Sequence, residues 1–453
     1  MKKTSSKRVA WVGLIAMVVA TLPASIQGAA DESTRPNVLL IMADDLGYGD
    51  LSGYGGKDVK TPHLDGLMAE GMRFSEFYAN CCVCSPTRAA LLSGRYPELV
   101  GIPGVVRSYR SGNFGFLTPE SIMLPGLFQK AGYHTTLVGM WHLGLSEANR
   151  PNQRGFDEFH GFLGDMMEDY WTHRRHGKNY MRKNEAEIDP AGHATDLFTR
   201  WAIESIRQRA GSGKPWFQFL SYNAPHSPVQ PPKDWLAKVV AREPGITDKR
   251  AKLVALVEHM DDGIGKVLEA LKQSGQFDNT LVIFTSDNGG SLPHGASNGP
   301  LRSGKTHIYE GGIKVPTFIR WPGHVGSGKK TDFQALTMDI LPTVADICAV
   351  PINHEVDGRS FRKLLLKNDQ QPFARPVYHM WLQDGTKEAM RQGDWKLVRD
   401  QKGAAFELYN IAQDPYEKVD LANKHPEKLQ AMAQLLTAHM QRANQVPWKK
   451  PAR

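Results

Sequence analysis

Cys84 heads the segment Cys-Ser-Pro-Thr-Arg at residues 84–88, which runs on into Ala-Ala-Leu-Leu-Ser-Gly. Pro86 suits the first turn of a helix, where a missing N–H costs nothing, and Gly94 suits its end. The segment therefore predicts a helix that begins beside Cys84 and carries Arg88 about one turn further on. A helix N-terminus and a guanidinium both favour negative charge at position 84 and on an anion docked there. Taken alone, the segment fits a buried thiol ahead of a capped helix equally well.

Further chemistry-bearing residues follow short apolar, β-branched runs. Val38–Met42 ends at Asp44-Asp45, and Thr135–Val138 is followed by Trp141 and His142. Trp216–Tyr222 leads to His226, and Leu281–Thr285 ends at Asp287-Asn288. Singly, each Asp reads as a turn former and each His as a structural residue. Together they read as one site, because open α/β sheets bind ligands outside the carboxyl ends of their strands. Asp44, Asp45, Asp287 and Asn288 offer only oxygen, which suits calcium or magnesium rather than zinc. Three carboxylates gathered without a cation would repel one another, so a hard cation is expected.

The elements that must position these groups alternate strands with amphipathic stretches, the pattern of an α/β domain. At 453 residues the chain has room for one large domain and a smaller one. The first thirty residues are set apart. Lys2, Lys3, Lys7 and Arg8 precede an apolar run from Val9 to Leu22, and Gly28 and Ala30 offer a cleavage site before Asp31. The run is shorter than the ~20 apolar residues of a spanning helix, so residues 1–30 read as a signal peptide, with no membrane span after cleavage. An exported protein, periplasmic or secreted, is expected. The leader carries four basic and no acidic residues, so its removal takes the net charge from +8 to +4. No dense Lys/Arg stripe with interleaved aromatics exists, which argues against nucleic acid as a partner. Of four cysteines, Cys81, Cys82 and Cys84 crowd together and Cys348 is distant. That clustering points to chemistry at one of them, and a bridge from Cys81 or Cys82 to Cys348 stays open.

Cys-x-Pro-x-Arg followed by an apolar pair and Gly resembles the signature of the sulfatase family, in which the cysteine is oxidised to formylglycine. Asn37–Asp50, with its Ala-Asp-Asp-Leu-Gly-Tyr-Gly-Asp, is similar to the family's N-terminal metal motif. Gly132–Thr135 with Gly139–Gly144 is similar to its second signature. Gly155–Phe159, Asn223–His226, Ser286–Gly289, Gly304-Lys305, Tyr309–Gly312 and Arg391–Lys396 also match, in family order, from about Asn37 to Leu421.

The resemblance implies an alkaline-phosphatase-like α/β domain with a mixed central sheet flanked by helices, over residues 31–372. A small C-terminal α+β domain with an antiparallel sheet would follow over 373–453, with a terminal helix from about Pro426. The resemblance further implies one calcium ion held by Asp44, Asp45, Asp287, Asn288 and the modified side chain of Cys84. A formylglycine-generating enzyme would be the maturation partner, and a sulfated small molecule or carbohydrate the substrate. The catalytic set carried over is Cys84, Arg88, His142, His226 and Lys305. Arg88 would stabilise the deprotonated diol of formylglycine and Lys305 would hold the sulfate. His226 would protonate the leaving alcohol, and His142 would take a proton as sulfate is expelled.

One position departs from the family pattern: Met140 stands where the second signature usually carries lysine. Methionine offers neither charge nor a hydrogen-bond donor, and the loss of such a contact is worth roughly two to three decades in rate. Arg302, Arg174, Arg175 and Lys178 are replacements by type, Arg302 first because it lies near Lys305 in sequence; it reads equally well as a surface residue. His294 and His307 also lie near site residues in sequence, and Trp171–His176 reads as a loop. Two rival functions remain, a formylglycine phosphodiesterase or phosphonate hydrolase, and a pseudoenzyme that binds sulfated glycans.

Overall fold

Strand β1 (Asn37–Ala43) is buried over its whole length. Its sequence, Asn-Val-Leu-Leu-Ile-Met-Ala, is apolar on both faces, as a central parallel strand covered on each side requires. Val38, Leu40 and Met42 enter one core, while Leu39, Ile41 and Ala43 enter the other. The computed structural model describes residues 35–108, 113–373, 375–383 and 386–446, together with Met1. The expected leader, Met1 apart, lies outside the described residues.

Around β1 lie β2 (Met72–Phe74), β3 (His134–Met140), β4 (Glu158–Phe162), β5 (Met181–Lys183), β6 (Ala186–Glu187), β7 (Trp216–Ser221), β8 (Thr280–Ser286), β9 (Thr317–Arg320) and β10 (Lys329–Thr331). They form one ten-stranded sheet in the order β10-β2-β9-β8-β1-β7-β3-β4-β5-β6. The middle strands β8, β1, β7, β3 and β4 are parallel, and antiparallel strands flank them. The sheet is mixed, as expected. Its register aligns the site-bearing ends: Ala43 faces Ser286, Met42 faces Ser221, and Ser221 faces Gly139.

Helices α1 (Pro62–Ala69), α3 (Ala194–Arg209) and α4 (Asp248–Gln273) contribute to the core on one face. Helix α2 (Cys84–Ser93) is buried at every residue and contributes to the core on the other. It ends at Gly94 in the left-handed conformation, φ 66°, where a glycine meets little steric penalty.

A second sheet of four antiparallel strands follows: β11 (Val377–Trp381), β12 (Lys387–Gln392), β13 (Trp395–Arg399) and β14 (Glu407–Asn410). Helix α5 (Pro426–Ala443) packs on it through Met432 and Leu436. Buried charges join the two sheets. Lys396 Nζ lies 2.9 Å from Glu310 and 2.8 Å from Glu417, all three side chains being buried. Lys314 pairs with Glu76, which also takes Arg391. Burial would raise the Glu310 carboxyl, but Lys396 and Lys314 hold it well below the usual carboxylate range. Two of the recognised motifs, Tyr309–Gly312 and Arg391–Lys396, thus meet in a structural ion network. It anchors the segment that carries Lys305.

Candidate functional site

The four central strands deliver their next residues to one edge of the sheet. Asp287 and Asn288 follow β8, Asp44 and Asp45 follow β1, His226 follows β7 by way of Tyr222–Pro225, and Trp141 and His142 follow β3. Backbone bonds fix the ends to one another: Asp287 N donates to Ala43 O at 3.2 Å and Asp44 N to Ala224 O at 3.0 Å. Asp45 (φ 66°) and His142 (φ 61°) hold left-handed backbone conformations, as do Ser303 and Thr306 on either side of Lys305. Such conformations cost a non-glycine residue of order 1–3 kcal/mol and persist where the surroundings impose them.

Cys84 is the first residue of α2, and its Sγ lies 3.5 Å from Asp44 Oδ1, 3.9 Å from Asp45 Oδ1 and 3.4 Å from Lys305 Nζ. Lys305 Nζ also donates to Asp45 Oδ2 at 2.7 Å. One turn along α2, the fully buried Arg88 spends its guanidinium on four partners. Its NH2 lies 3.0 Å from Asp44 and its Nε 3.1 Å from Asp287, while NH1 donates to Ser221 Oγ at 2.6 Å and to the Met140 carbonyl at 3.2 Å. Asn288 Nδ2 donates to Asp45 Oδ1 at 2.9 Å. Asp44, Asp45, Cys84, Arg88, Asp287, Asn288 and Lys305 thus form one hydrogen-bonded cluster.

Three carboxylates share two cations, and their protonation divides accordingly. Burial, reinforced by the adjacent Asp44, pushes the Asp287 carboxyl up to about 7 against the pull of Arg88. Burial also raises Asp44, although Arg88 opposes it. At Asp45 burial works in the same sense, yet Lys305 and His226 outweigh it and hold that carboxyl at about 2. Asn288 Oδ1 is buried without a hydrogen-bond partner. An orphaned carbonyl oxygen among crowded carboxylates is the donor set of a hard cation, and the residues present fit one.

Each histidine has its tautomer set by a carbonyl, which only accepts hydrogen bonds. His142 Nε2 lies 2.9 Å from Val106 O, so Nε2 carries the proton and the buried, unpartnered Nδ1 is left as the acceptor. Burial lowers its pKa well below the ordinary value, with Asp165 opposing. His226 Nδ1 lies 2.6 Å from Ser227 O, which leaves Nε2 to face Asp45 Oδ2 at 3.7 Å.

Several groups that sequence patterns did not single out complete the site. Val106 bridges the Cys84 segment and His142, since its N–H donates to Ser85 Oγ at 3.0 Å while its carbonyl takes His142 Nε2. Asp165 is buried, bound by both arms of Arg175 at 3.0 and 3.1 Å and by Ser108 Oγ at 2.6 Å. Tyr170 supports the His226 loop by donating to Asn223 O and His226 O, both at 2.8 Å. None of these was singled out in the sequence; Tyr170 immediately precedes the stretch Trp171–His176.

Other expectations are corrected. Arg302 does not reach the pocket: its guanidinium bonds Tyr409 Oη at 2.7 Å and Glu417 O at 3.0 Å and stacks 3.6 Å over the Tyr309 ring. Arg174 pairs with Asp189, and Arg174-Arg175 forms a short hairpin with Lys178-Asn179 rather than a loop. His307 is held by Asp400 at 2.6 Å. All four cysteines are free and buried, so no bridge joins Cys348 to the 81–84 cluster. The Met140 side chain is buried, and only its carbonyl serves the site.

A mixed sheet whose parallel strand ends hold an oxygen-rich cluster beside a helix N-terminus is the alkaline-phosphatase-like architecture. The family model described as Sulfatase matches residues 36–350, and that of the N-sulphoglucosamine sulphohydrolase C-terminal region matches 303–445. The chain belongs to the sulfatase family of sulfuric ester hydrolases. It is 30% identical to N-acetylgalactosamine-6-sulfatase from Homo sapiens, over 91% of this chain and 87% of that one. Steryl-sulfatase from Rattus norvegicus is 31% identical over 82% of this chain and 76% of its own. The crystal structure of Ps i-CgsB in complex with k-i-k-neocarrahexaose superposes with a TM-score of 0.85 at 31% identity, covering 92% of this chain and 95% of that one. Among the described residues no helix is long and apolar enough to cross a membrane.

Proposed function

We propose that the protein hydrolyses sulfate monoesters of a carbohydrate, using a formylglycine made from Cys84 and one calcium ion. The observation that carries this reading is the convergence of Asp44, Asp45 and Lys305 on Cys84 Sγ at the start of α2. Asp44, Asp45, Asp287, Asn288 and the side chain at 84 would hold the ion, which would polarise the nucleophile and the sulfate oxygens as a Lewis acid while formylglycine supplies a hydrated aldehyde. Kinship with N-acetylgalactosamine-6-sulfatase and with a structure holding a neocarrahexaose supports a sulfated carbohydrate.

The chain's own residues divide the remaining work. Lys305, with Nζ 3.4 Å from Cys84 Sγ, would pair with the sulfate, in the manner of cations that bind phosphoryl oxygens. Arg88 is spent on Asp44 and Asp287, so its part is to hold two ligand carboxylates in place. His142, with Nδ1 as acceptor, suits removal of a proton near position 84. His226, with Nε2 directed at the pocket, suits delivery of a proton to the departing alcohol when it is charged. Residues 31–372 would form the catalytic domain and 373–453 the small domain. Export to the periplasm or medium, after loss of residues 1–30 and maturation by a formylglycine-generating enzyme, belongs to the same reading.

The test is release of inorganic sulfate from 4-nitrophenyl sulfate and a panel of sulfated oligosaccharides. The protein is co-expressed with the maturation enzyme, and conversion of the Cys84 peptide is checked by mass. Release that needs calcium is the expected result. Fully converted protein that hydrolyses phosphodiesters faster than sulfates, or binds glycans without turnover, would replace the reading with one of its rivals.

The charge division yields a prediction for the ion. In the metal-free protein Asp287 keeps its proton up to about 7, so binding a cation below that pH must displace a proton. Calcium affinity is expected to fall by about tenfold per pH unit below 7 for one displaced proton. Titration calorimetry of the chelator-treated protein between pH 5 and 8 measures it; an affinity flat over that range would show that Asp287 is ionised without the metal.

A further inference from the structure

The short 3-10 turn Leu292–His294 lies between the metal-site pair Asp287-Asn288 and Lys305. Glycines on both sides bring it against the pocket. A Cβ on Gly304 would stand 3.2 Å from Leu292 Cγ, so Leu292 leans on the residue that precedes Lys305. A Cβ on Gly290 would lie 2.8 Å from Gly47 Cα, two residues beyond Asp45. The turn is also pinned from behind. Arg250 donates to Gly295 O at 3.2 Å, Ser297 N donates to Asp50 at 2.9 Å, and Asn298 bonds both Gly290 and Ser303.

On this fixed turn Leu292, Pro293 and His294 all face outward. Leu292 is 47% exposed, and His294 is exposed with Nδ1 held 2.8 Å from the hydroxyl of the buried Ser291. Among the described residues, the hydrogen bond given to His294 is that of Nδ1, which leaves Nε2 open to solvent. Partial desolvation lowers the pKa of this imidazole, Asp45 opposes it, and the charges of His226, Lys305 and Lys249 add to the lowering. The turn therefore lies along the segment between Asn288 and Lys305, with Leu292 against Gly304 and the His294 imidazole on its outer side.

Resting on the sulfatase reading, we propose that Leu292 and His294 form the wall that recognises the sugar carrying the sulfate. Leu292 packs on the C–H face of the ring, and His294 Nε2 hydrogen-bonds a hydroxyl next to the sulfated carbon. Ser291 acts through His294 and is a positioning residue.

The test compares sulfated oligosaccharides with 4-nitrophenyl sulfate, which has no sugar hydroxyl. His294→Ala is expected to lose roughly 10- to 100-fold in kcat/KM on the preferred saccharide while staying within about twofold on the aryl ester. His294→Gln is expected to recover part of the loss. An equal loss on both substrates would overturn the proposal and make His294 a support for His226; no loss on the saccharide would overturn it outright. Binding gives a readout independent of turnover. In a Cys84→Ala background, calorimetry with k-i-k-neocarrahexaose and other sulfated oligosaccharides is expected to show tighter binding with His294 than with alanine by about tenfold. Unchanged binding across the panel would likewise overturn it. Wild-type hydrolysis of the aryl ester reports separately on the sulfatase reading.

Discussion

Cys84→Ala, expressed with the maturation enzyme, is expected to fold as the parent does and to lose sulfate release by at least about 10,000-fold. Folding survives because the thiol does little for the helix. The N-cap of α2 is Val83, which makes no side-chain cap, and the Sγ contacts to Asp44, Asp45 and Lys305 are long, at 3.4 to 3.9 Å. Alanine is a good helix former at this position, so unfolding stability is expected within about 1 kcal/mol of the parent. Activity does not survive, because no neighbour can replace the nucleophile. Ser85 Oγ is engaged by Val106 N, and Asp44 and Asp287 are committed to Arg88.

The same residue in unconverted form is expected to be as inactive. Burial pushes the Cys84 thiol well above its ordinary range, and the negative charge of Asp44 adds to it, with Lys305 opposing. In the metal-free pocket the sulfur is therefore a neutral thiol, a poor nucleophile. Activity in a panel of preparations should rise in proportion to the converted fraction of the Cys84 peptide. Turnover by Cys84→Ala above about 1% of the parent, or by unconverted protein, would remove Cys84 from its proposed role.

The strand-end residues were legible because parallel strands share a direction, so their carboxyl ends have to meet. Asp44, Asp45, His142, His226, Asp287 and Asn288 follow from that rule and a few apolar runs. What stayed hidden is held by groups without a pattern. The Val106 carbonyl sets the His142 tautomer, yet every residue has a carbonyl. Ser221 is one of many serines, and its value comes from lying on β7 opposite Gly139, within reach of Arg88. Proximity in sequence misled at Arg302. The backbone turns into positive φ at Ser303 and again at Thr306, so Arg302 goes to Tyr309 and Tyr409 while Lys305 enters the pocket. The small domain was legible in outline, with α5 starting at Pro426 as expected. Its ion network with Glu310 was not, since a buried Lys396 and an exposed one look alike in sequence.

Arg88→Leu is expected to destabilise the metal-free protein by about 3–5 kcal/mol at pH 8 and to abolish sulfate release. Arg88 is wholly buried and neutralises Asp44 and Asp287 at once. Its removal leaves Asp44, Asp45 and Asp287 facing only Lys305. Leucine has similar bulk, so the cost comes from stranded charge and from the unpaired Ser221 hydroxyl and Met140 carbonyl. The pH dependence separates this from a packing defect. Asp287 already stands at about 7 with Arg88 beside it, and without the guanidinium it rises further. An unfolded carboxyl titrates at about 4, so between those values the folded variant retains a proton that the unfolded chain has lost. Stability therefore falls as pH rises through this window, by about 1.4 kcal/mol per unit for one such proton. The deficit relative to wild type is expected to be smaller at pH 5, where the carboxylates take protons, than at pH 8. Arg88→Lys keeps the charge, but one ammonium cannot span Asp44, Asp287, Ser221 and Met140 together, so it is expected to recover stability only in part. Urea unfolding in chelator at both pH values measures the difference. A deficit that is equal at pH 5 and pH 8 would assign Arg88 to packing, and would leave the three carboxylates balanced by something other than this buried guanidinium.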